Sequence, residues 1–329
     1  MTGIFMKALY FIAVLSSFPL FASDASSYDL LLERDKFSQL QQQLGQAPQL
    51  ANKELLVLQL ETMLGLRQSE QAEQLANQAL KHYPKDAELL RLAALNQFNL
   101  AQDSSIFSAA SYAKEGLALL KEAMAAAPQD LKIQHILIGF YLQAPSIAGG
   151  DTKEAKKLAK AMAEKHQPEG TLASIEVLMD DDKLPEALKL AEQQLQQYPA
   201  HPALLAAYGN LLSINKEPAK AFVQYQKAAA AATDLAEQQS YLYHLGRLAA
   251  TEQQNPHTGQ QALEGYLAFY QDSDHAKTGW AQLRLAQIYL VQKQQDKARQ
   301  LLPHIKNQSQ NDKRLKNEVK DLEKQLKKS

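Results

Sequence analysis

The side chains that most often perform chemistry are dispersed along this 329-residue sequence. None of its eight histidines belongs to an H-E-x-x-H motif, which would place two zinc ligands on one turn of a helix. Cysteine is absent, which excludes disulfides, thiolate metal sites and a thiol nucleophile. The sequence also lacks a G-x-S-x-G elbow, a Walker-type loop and a dinucleotide-binding glycine pattern. We therefore predict no catalytic residue, no metal site, no cofactor and no enzymatic activity.

Three consecutive aspartates, Asp180, Asp181 and Asp182, form a group of potential oxygen ligands. A calcium-binding loop alternates its ligands along the chain and adds a glycine and a distal glutamate, and this segment has neither. We interpret the run as a solvated turn in preference to a divalent-cation site.

The segment from Pro145 to Asp151 contains the only Gly-Gly pair of the sequence. In one interpretation the glycines end a helix and Asp151 caps the next one, with Glu154 three residues later as in a capping box. In the other, Gly149, Gly150 and Asp151 form a candidate loop site, because backbone amides at a helix N-terminus suit an anion. The capping interpretation is the simpler one, and both remain open from the sequence.

The composition indicates the class of fold in which these segments lie. Apolar residues make up 46% of the chain, aromatic residues 7%, and glycine and proline are sparse, a balance typical of packed helices. The formal net charge of −1 provides no basic field, so nucleic acid is not an expected partner.

The N-terminus has the pattern of a secretory signal peptide. Lys7 precedes an apolar run from Ala8 to Phe21, followed by small and polar residues. We expect a signal peptide over residues 1–22, with cleavage after Ala22 or as late as residue 25; an uncleaved anchor is the alternative. The run is shorter than the roughly 20 residues that span a bilayer. The expected mature protein is periplasmic or secreted, without an integral membrane segment.

A repeated pattern of small and aromatic residues predicts the fold. Ala-x3-Tyr occurs at Ala221/Tyr225 and Ala262/Tyr266, and the small-residue version recurs at intervals of 32 to 41 residues. Its other copies are Ala72/Ala76, Ala155/Ala159, Ala187/Ala191 and Ala298/Leu302. The pairs Tyr208-Gly209, Leu245-Gly246 and Leu285-Ala286 stand upstream of such copies, and Pro84, Pro128 and Pro199 follow predicted helices. Alanine at these positions allows two helices to approach closely.

This pattern resembles that of the tetratricopeptide repeat (TPR) family, in the manner of an exported bacterial TPR protein. The resemblance implies an all-α solenoid of antiparallel helix hairpins with about six to seven repeats. We expect a degenerate leading hairpin over residues 23–50, the repeat array over 51–310 and a Lys-rich capping helix over 311–329. Gly116 replaces the first alanine in one repeat, and residues 102–108 and 252–259 are expected to form lengthened turns.

The C-terminal segment carries one apolar stripe. Leu315, Val319, Leu322 and Leu326 are spaced by four, three and four residues, with lysine and glutamate between them. Solenoids need a terminal helix with a polar outer face, which favours a cap. A short dimer seam is the alternative.

The resemblance also implies where a partner binds, because positions 2, 5, 9 and 12 of each TPR line the concave groove. Counting from Gly209, Gly246 and Ala286, the expected groove residues are Asn210, Ser213, Tyr243, Arg247, Trp280 and Gln287. Such amides, aromatic rings and a guanidinium suit an extended peptide. Tyr243 and Trp280 could instead pack between repeats, and the paired lysines of chaperone-binding TPRs are absent.

The sequence thus predicts a non-enzymatic periplasmic scaffold that binds a protein or peptide of the cell envelope, with a monomer favoured. The alternatives are a solute-binding accessory of a transporter and a structural homo-oligomer built on the C-terminal stripe.

Overall fold

A computed structural model describes residues 25–45, 47–275, 277–310 and 312–328. Over these ranges the chain forms seventeen α-helices, one short 3-10 helix and no β-strand, which confirms the predicted all-α architecture. The predicted signal peptide at residues 1–22 lies outside the described residues. No helix of the described ranges combines the length and the apolar character that crossing a bilayer requires.

The helices have these bounds. The first nine are α1 Ala25–Glu33, α2 Phe37–Leu44, α3 Lys53–Gly65, α4 Ser69–His82, α5 Ala87–Asp103, α6 Ile106–Ala126, α7 Leu131–Gln143, α8 Thr152–Lys165 and α9 Glu169–Asp180. The others are α10 Leu184–Gln197, α11 Pro202–Ile214, α12 Pro218–Ala231, α13 Leu235–Glu252, α14 Pro256–Phe269, α15 Thr278–Val291, α16 Gln295–Gln308 and α17 Lys313–Lys328. The 3-10 helix covers Ser146–Ala148. Helices α3–α16 correspond to seven hairpins after the leading pair α1 and α2, within the predicted range.

The chain divides into two compact units, with the boundary inside α10, between Leu190 and Ala191. In the first unit α5 packs against α6, α7 against α8, and α8 against α9. Its apolar side chains form successive clusters, such as one around Leu60 and Leu89 and another around Leu120 and Ile133. Each cluster joins helices that are close in sequence, as expected of a stack of repeats.

The second unit contains Ala191–Ser329 together with Glu33–Lys36. Its helices pair as α11 with α12, α13 with α14 and α15 with α16. Leu204, Leu263 and Leu283 are fully buried in its core. The cores of both units therefore lie between consecutive helices, both within a hairpin and between one hairpin and the next.

The alanines of the repeat pattern lie in these cores, as their spacing predicts. The first alanine of every copy is at most 4% exposed, and Tyr225 and Tyr266 are 2% and 1% exposed. Gly116 occupies the equivalent position in α6 because a Cβ there would lie 2.5 Å from the ring of Phe98. Small residues are required where the two helices touch, since a larger side chain would force them apart.

Several first helices end in the same way. Arg67, Asp182, Lys216 and Lys293 have left-handed backbone conformations just after α3, α9, α11 and α15. The next residue's N–H then donates back to a carbonyl five residues earlier, as from Gln68 to Met63 at 2.9 Å. This shared ending fixes a common register for the first helices.

The prediction that residues 102–108 and 252–259 form lengthened turns is wrong. Only residues 104–105 separate α5 from α6, and only residues 253–255 separate α13 from α14. The extra residues extend the helices instead, so that α5, α6 and α13 have 17, 21 and 18 residues. Lengthening a helix that is already packed gives more backbone N–H and C=O groups a hydrogen-bond partner than an irregular loop does.

Helix α17 caps the second unit, as the sequence predicts. Its four stripe residues, Leu315, Val319, Leu322 and Leu326, are between 1% and 6% exposed, and the helix packs on α15 and α16. The Arg284 guanidinium donates two hydrogen bonds to the Glu318 carboxylate, at 2.6 and 3.0 Å. The stripe is thus covered by its own chain, which argues against its use as a dimer seam.

Candidate functional site

The helix endings allow the candidate groove positions to be compared directly. Asn210 and Gln287 each lie six residues before the left-handed residue that follows their helix, and Arg247 lies six residues before Gln253, which is also left-handed. The same count from Arg67 and Asp182 identifies Glu61 in α3 and Glu176 in α9. These five side chains therefore occupy one equivalent position on five first helices.

In α11 the candidate groove residues are available to solvent. Asn210 is exposed and Ser213 is half-buried. Both can donate and accept hydrogen bonds, so they could bond the backbone of an extended ligand.

In α13 the candidate residues belong to a group that we call the α13 cluster: Tyr225, Tyr243, His244, Arg247 and Lys277. The His244 ring stacks on the Tyr225 ring, with centroids 5.4 Å apart and planes inclined by 9°. Tyr243 meets His244 edge to face at 5.7 Å, and the Lys277 ammonium lies 5.7 Å from the Tyr243 ring centroid. Tyr243 itself is only 8% exposed, so its ring is largely a packing element.

The electrostatics of this cluster are positive. Burial, followed by the charges of Arg247 and Lys277, lowers the pKa of His244 to about 3. Burial also lowers the pKa of Lys277, opposed by the charge of Asp35. Burial raises the pKa of Tyr225 to about 12, and the nearby charge of Arg247 opposes this increase. Two cations and a neutral imidazole therefore share one partly desolvated location.

In α15 the candidate residues are engaged by their own chain. The indole N–H of Trp280 donates to the Asp312 carboxylate at 2.8 Å, and the Arg284 guanidinium lies over the indole ring. Gln287 accepts a hydrogen bond from Arg284 at 2.9 Å. Trp280 and Gln287 thus belong to the hydrogen-bonded region of α15 next to the capping helix α17.

In the first unit the equivalent position is acidic. Glu61 lies 3.7 Å from the Arg91 guanidinium, and desolvation raises its pKa while Arg91 opposes the increase. Desolvation raises the pKa of Glu176 to about 7, although the residue as a whole is exposed and water moderates the energetic effect. Sequence reasoning missed both glutamates, and counting back from each helix end would have found them.

The candidate loop site, Gly149 to Asp151, joins α7 and α8. Asp151 caps α8, since one of its carboxylate oxygens accepts hydrogen bonds from the backbone N–H groups of Lys153 and Glu154 at 3.0 and 3.2 Å. The N–H of Asp151 donates to the Tyr141 carbonyl at 3.0 Å, in place of the Glu154 carboxylate of a capping box. An anion at this helix terminus would meet the negative charge of Asp151. The loop borders a cleft of about 410 Å³.

Asp180 ends α9, and Asp181 and Asp182 form the turn after it. Asp181 pairs with the ammonium groups of Lys156 and Lys183, at 2.7 and 3.5 Å, and Asp182 is the left-handed residue of the turn. In the described ranges no group of three or more histidine or acidic side chains could hold a metal ion.

Comparison with known proteins identifies the fold. No protein-family model and no curated protein sequence matches the chain. The solved structure of yeast Tom70 is similar over 99% of this chain and 68% of its own, with 15% identity and a TM-score of 0.60. A chain of the APC/C hetero-tetramer Cut9-Hcn1 is similar over 91% of this chain, with 14% identity and a TM-score of 0.51; this chain spans 55% of it, about half its length. Both are TPR-repeat proteins, so the architecture is a TPR-type solenoid.

Proposed function

We propose that this TPR-type protein is a non-enzymatic scaffold that is exported to the periplasm and binds an envelope protein or an extended peptide. The binding surface is formed by the groove positions of α11 and α13. The proposed location is supported by the signal-peptide pattern of residues 1–22. The proposed activity is supported by the fold together with the side chains that the first helices present.

The observation that carries this proposal is the pair of polar positions on successive first helices. Asn210 and Arg247 occupy the same register on α11 and α13, with Ser213 one turn further along α11. A guanidinium has five N–H donors in a planar arrangement. These donors and the Asn210 amide can bond the carbonyl and carboxylate groups of an extended chain.

In-cell crosslinking of the tagged protein, followed by mass spectrometry, tests the proposal. Arg247→Glu should abolish the capture of specific envelope proteins, because it replaces the donors by a carboxylate. The matched control is Lys227→Glu, which makes the same change of charge at an exposed position of the second helix α12. Circular dichroism and thermal melting should be unchanged in both variants. Equal capture by wild type and Arg247→Glu would contradict the groove assignment.

A second candidate function is the binding of a small solute. The place to test it is the open cleft beside α7 and α8, whose lining includes Tyr141, Ser146 and Asp151. If crosslinking captures no protein, equilibrium binding of small solutes and its loss in Tyr141→Ala would support this function instead.

A homo-oligomer built on the α17 stripe is not supported by the structure, because the stripe is buried against α15 and α16. We therefore propose that the protein works as a monomer.

A further inference from the structure

Five lysines form a straight row along the outer face of the capping helix α17. They are spaced by three, four, four and three residues, so they fall within an arc of about 80° and extend over about 21 Å of the helix. All five are exposed, while the apolar stripe of the same helix is buried against α15 and α16. We call this set the lysine row: Lys313, Lys316, Lys320, Lys324 and Lys327.

The acidic side chains of α17 do little to neutralise the row. Glu318 accepts two hydrogen bonds from a guanidinium on α15, and Glu323 pairs with Lys306 on α16 at 2.5 Å. Asp321 pairs with Lys324 at 2.9 Å, but both side chains are largely exposed, and such a pair contributes little in water. Among the described residues, no acidic group lies within ion-pair distance of the other four ammonium groups.

The row is unfavourable for the helix that carries it. Like charges three or four residues apart repel each other, and the row contains four such neighbouring pairs. The first turn of α17 has no acidic residue and contains Lys313, Arg314 and Lys316, although the helix dipole favours acidic residues at this end. An arrangement that helix stability disfavours is expected where a surface serves binding.

Positive charge is concentrated in this part of the chain. Residues 292–329 contain eleven lysine and arginine residues against five acidic ones, whereas residues 1–291 contain 24 against 31. At physiological ionic strength the effect of an exposed charge extends over about 8 Å, so a surface beside α17 responds to this local excess and not to the net charge of the protein. An anionic surface would therefore meet the protein through α17.

The chemistry of the row favours an extended flat surface as the partner. Residues 292–329 contain no Phe, Tyr or Trp, so they offer no aromatic anchor of the kind that dominates protein interfaces or stacks on nucleic-acid bases. The lysine ammonium is a compact, hydrated point charge without the planar fork of arginine. A straight row of such charges can contact many headgroups of one plane at once, and clusters of about four to eight basic residues on a helix are typical of binding to anionic lipids.

We propose that the lysine row of α17 is a docking surface for a membrane that contains anionic lipids. The phosphate groups of the lipid headgroups accept hydrogen bonds from the ammonium groups and offset their mutual repulsion. The helix lies on the surface without insertion, because its apolar side chains are already buried in the protein. This contact is separate from the groove positions of α11 and α13, so it goes beyond the proposed binding of a protein or peptide.

Co-sedimentation of the full-length protein with lipid vesicles tests this docking surface. Vesicles of phosphatidylcholine and phosphatidylglycerol in equal amounts provide the anionic surface, and vesicles of phosphatidylcholine alone measure adsorption through apolar segments such as residues 8–21. The protein should bind the anionic vesicles about a hundredfold more tightly or better, and high salt should remove this difference. Equal binding to the two kinds of vesicle, or a preference that persists at high salt, would overturn the proposal.

Variants locate the surface. Lys316→Gln combined with Lys320→Gln removes two charges from the centre of the row. Each basic residue near an anionic surface strengthens binding about fivefold, so this double variant should bind anionic vesicles roughly 25-fold more weakly, with unchanged circular dichroism. The matched control, Lys160→Gln combined with Lys227→Gln, removes two exposed charges from α8 and α12 and should bind like wild type. Unchanged binding in the row variant, or an equal loss in the control, would refute the assignment.

An acidic protein is the alternative partner for such a row, and in-cell crosslinking distinguishes it. Loss of a specific acidic protein in the row variant, without any preference of wild type for anionic vesicles, would refute the membrane surface. The groove is tested separately, since Arg247→Glu should leave vesicle binding unchanged while it abolishes capture. Vesicle binding that is lost in Arg247→Glu would contradict docking through α17.

Discussion

Replacing Gly150 by alanine should destabilise the protein, because the loop between α7 and α8 has no room for a side chain. A Cβ at this position would lie 1.7 Å from the Ala144 carbonyl oxygen and 2.6 Å from its carbon. These are backbone atoms, so no rotamer change can relieve the contact. The loop would have to move by more than an ångström.

The magnitude follows from what that movement breaks. Over-packing of this kind costs about 1–3 kcal/mol. The loop also contains the hydrogen bonds from the N–H of Gly150 to the Pro145 carbonyl and from the N–H of Asp151 to the Tyr141 carbonyl. Each is worth about 1 kcal/mol, so loss of both brings the expected decrease in the free energy of unfolding to roughly 3–5 kcal/mol.

Gly265→Ala is the matched control, since it makes the same chemical change where space is free. Gly265 lies inside α14 and is exposed, and no atom lies within 4 Å of a Cβ built there. Alanine should stabilise this helix by about 0.5–1 kcal/mol. The two variants therefore differ in the sign of their effect.

Urea unfolding followed by far-UV circular dichroism measures both effects, and hydrogen exchange by mass spectrometry localises them. Gly150→Ala should lower the midpoint and increase exchange at the start of α8, while Gly265→Ala should raise the midpoint. An unchanged midpoint and unchanged exchange in Gly150→Ala would refute the steric argument. A role in binding would then have to explain why two glycines occur in this loop.

Two further predictions concern the cap and the buried imidazole. Leu322→Ala, at a position only 1% exposed, should lower the free energy of unfolding by about 2–5 kcal/mol without altering the molar mass measured by light scattering. His244 has a pKa of about 3 in the folded state, below its ordinary 6.5, so the unfolded chain takes up this proton first as the pH falls. Stability should therefore decrease between pH 6.5 and 3, by up to about 1.4 kcal/mol per pH unit from this group. His244→Phe, which can still stack on Tyr225, should reduce this loss in urea titrations at several pH values, and His257→Phe at an exposed position should not.

The repeat architecture could be predicted from the sequence because its main constraint is steric. Close contact between two helices admits only small residues, so alanines such as Ala72 and Ala221 recur at the period of the fold and are fully buried. The apolar stripe of α17 could also be predicted, since its spacing matches one face of a helix. Both are local patterns with a single structural solution.

Helix lengths could not be predicted in the same way. The residues after Gln102 contain serines that suggest a turn, yet α5 continues to Asp103 and α6 begins at Ile106. Phe98 and Gly116 show why, because the ring of Phe98 fills the space beside Gly116 and holds the two long helices together. This contact joins residues 18 positions apart, which propensity does not reveal.

The candidate site could be predicted from the sequence only in part. The repeat register assigns Asn210, Arg247 and Gln287 to equivalent positions, but it could not show which side chains are already engaged. Gln287 bonds Arg284, whose own partner is on α17, so its role depends on a helix outside the repeat pattern. His244 was not singled out, because only the side-chain positions show that its ring lies between Tyr225 and Tyr243.

The hydrogen bonds and the burial of several groove residues reduce the number of side chains that a partner can contact. Trp280 bonds Asp312, Gln287 bonds Arg284, and Tyr243 is mostly buried, so the expected aromatic anchors are not the main contact surface. Asn210, Ser213 and Arg247 remain, and all three recognise their ligands through hydrogen bonds. Recognition of this kind discriminates strongly, because a ligand that lacks the matching group leaves a desolvated polar side chain unpaired. If Arg247 binds a carboxylate, selectivity for acidic partners should come from the surroundings of that one guanidinium, and screening by salt should weaken binding only modestly, since the contact is partly buried.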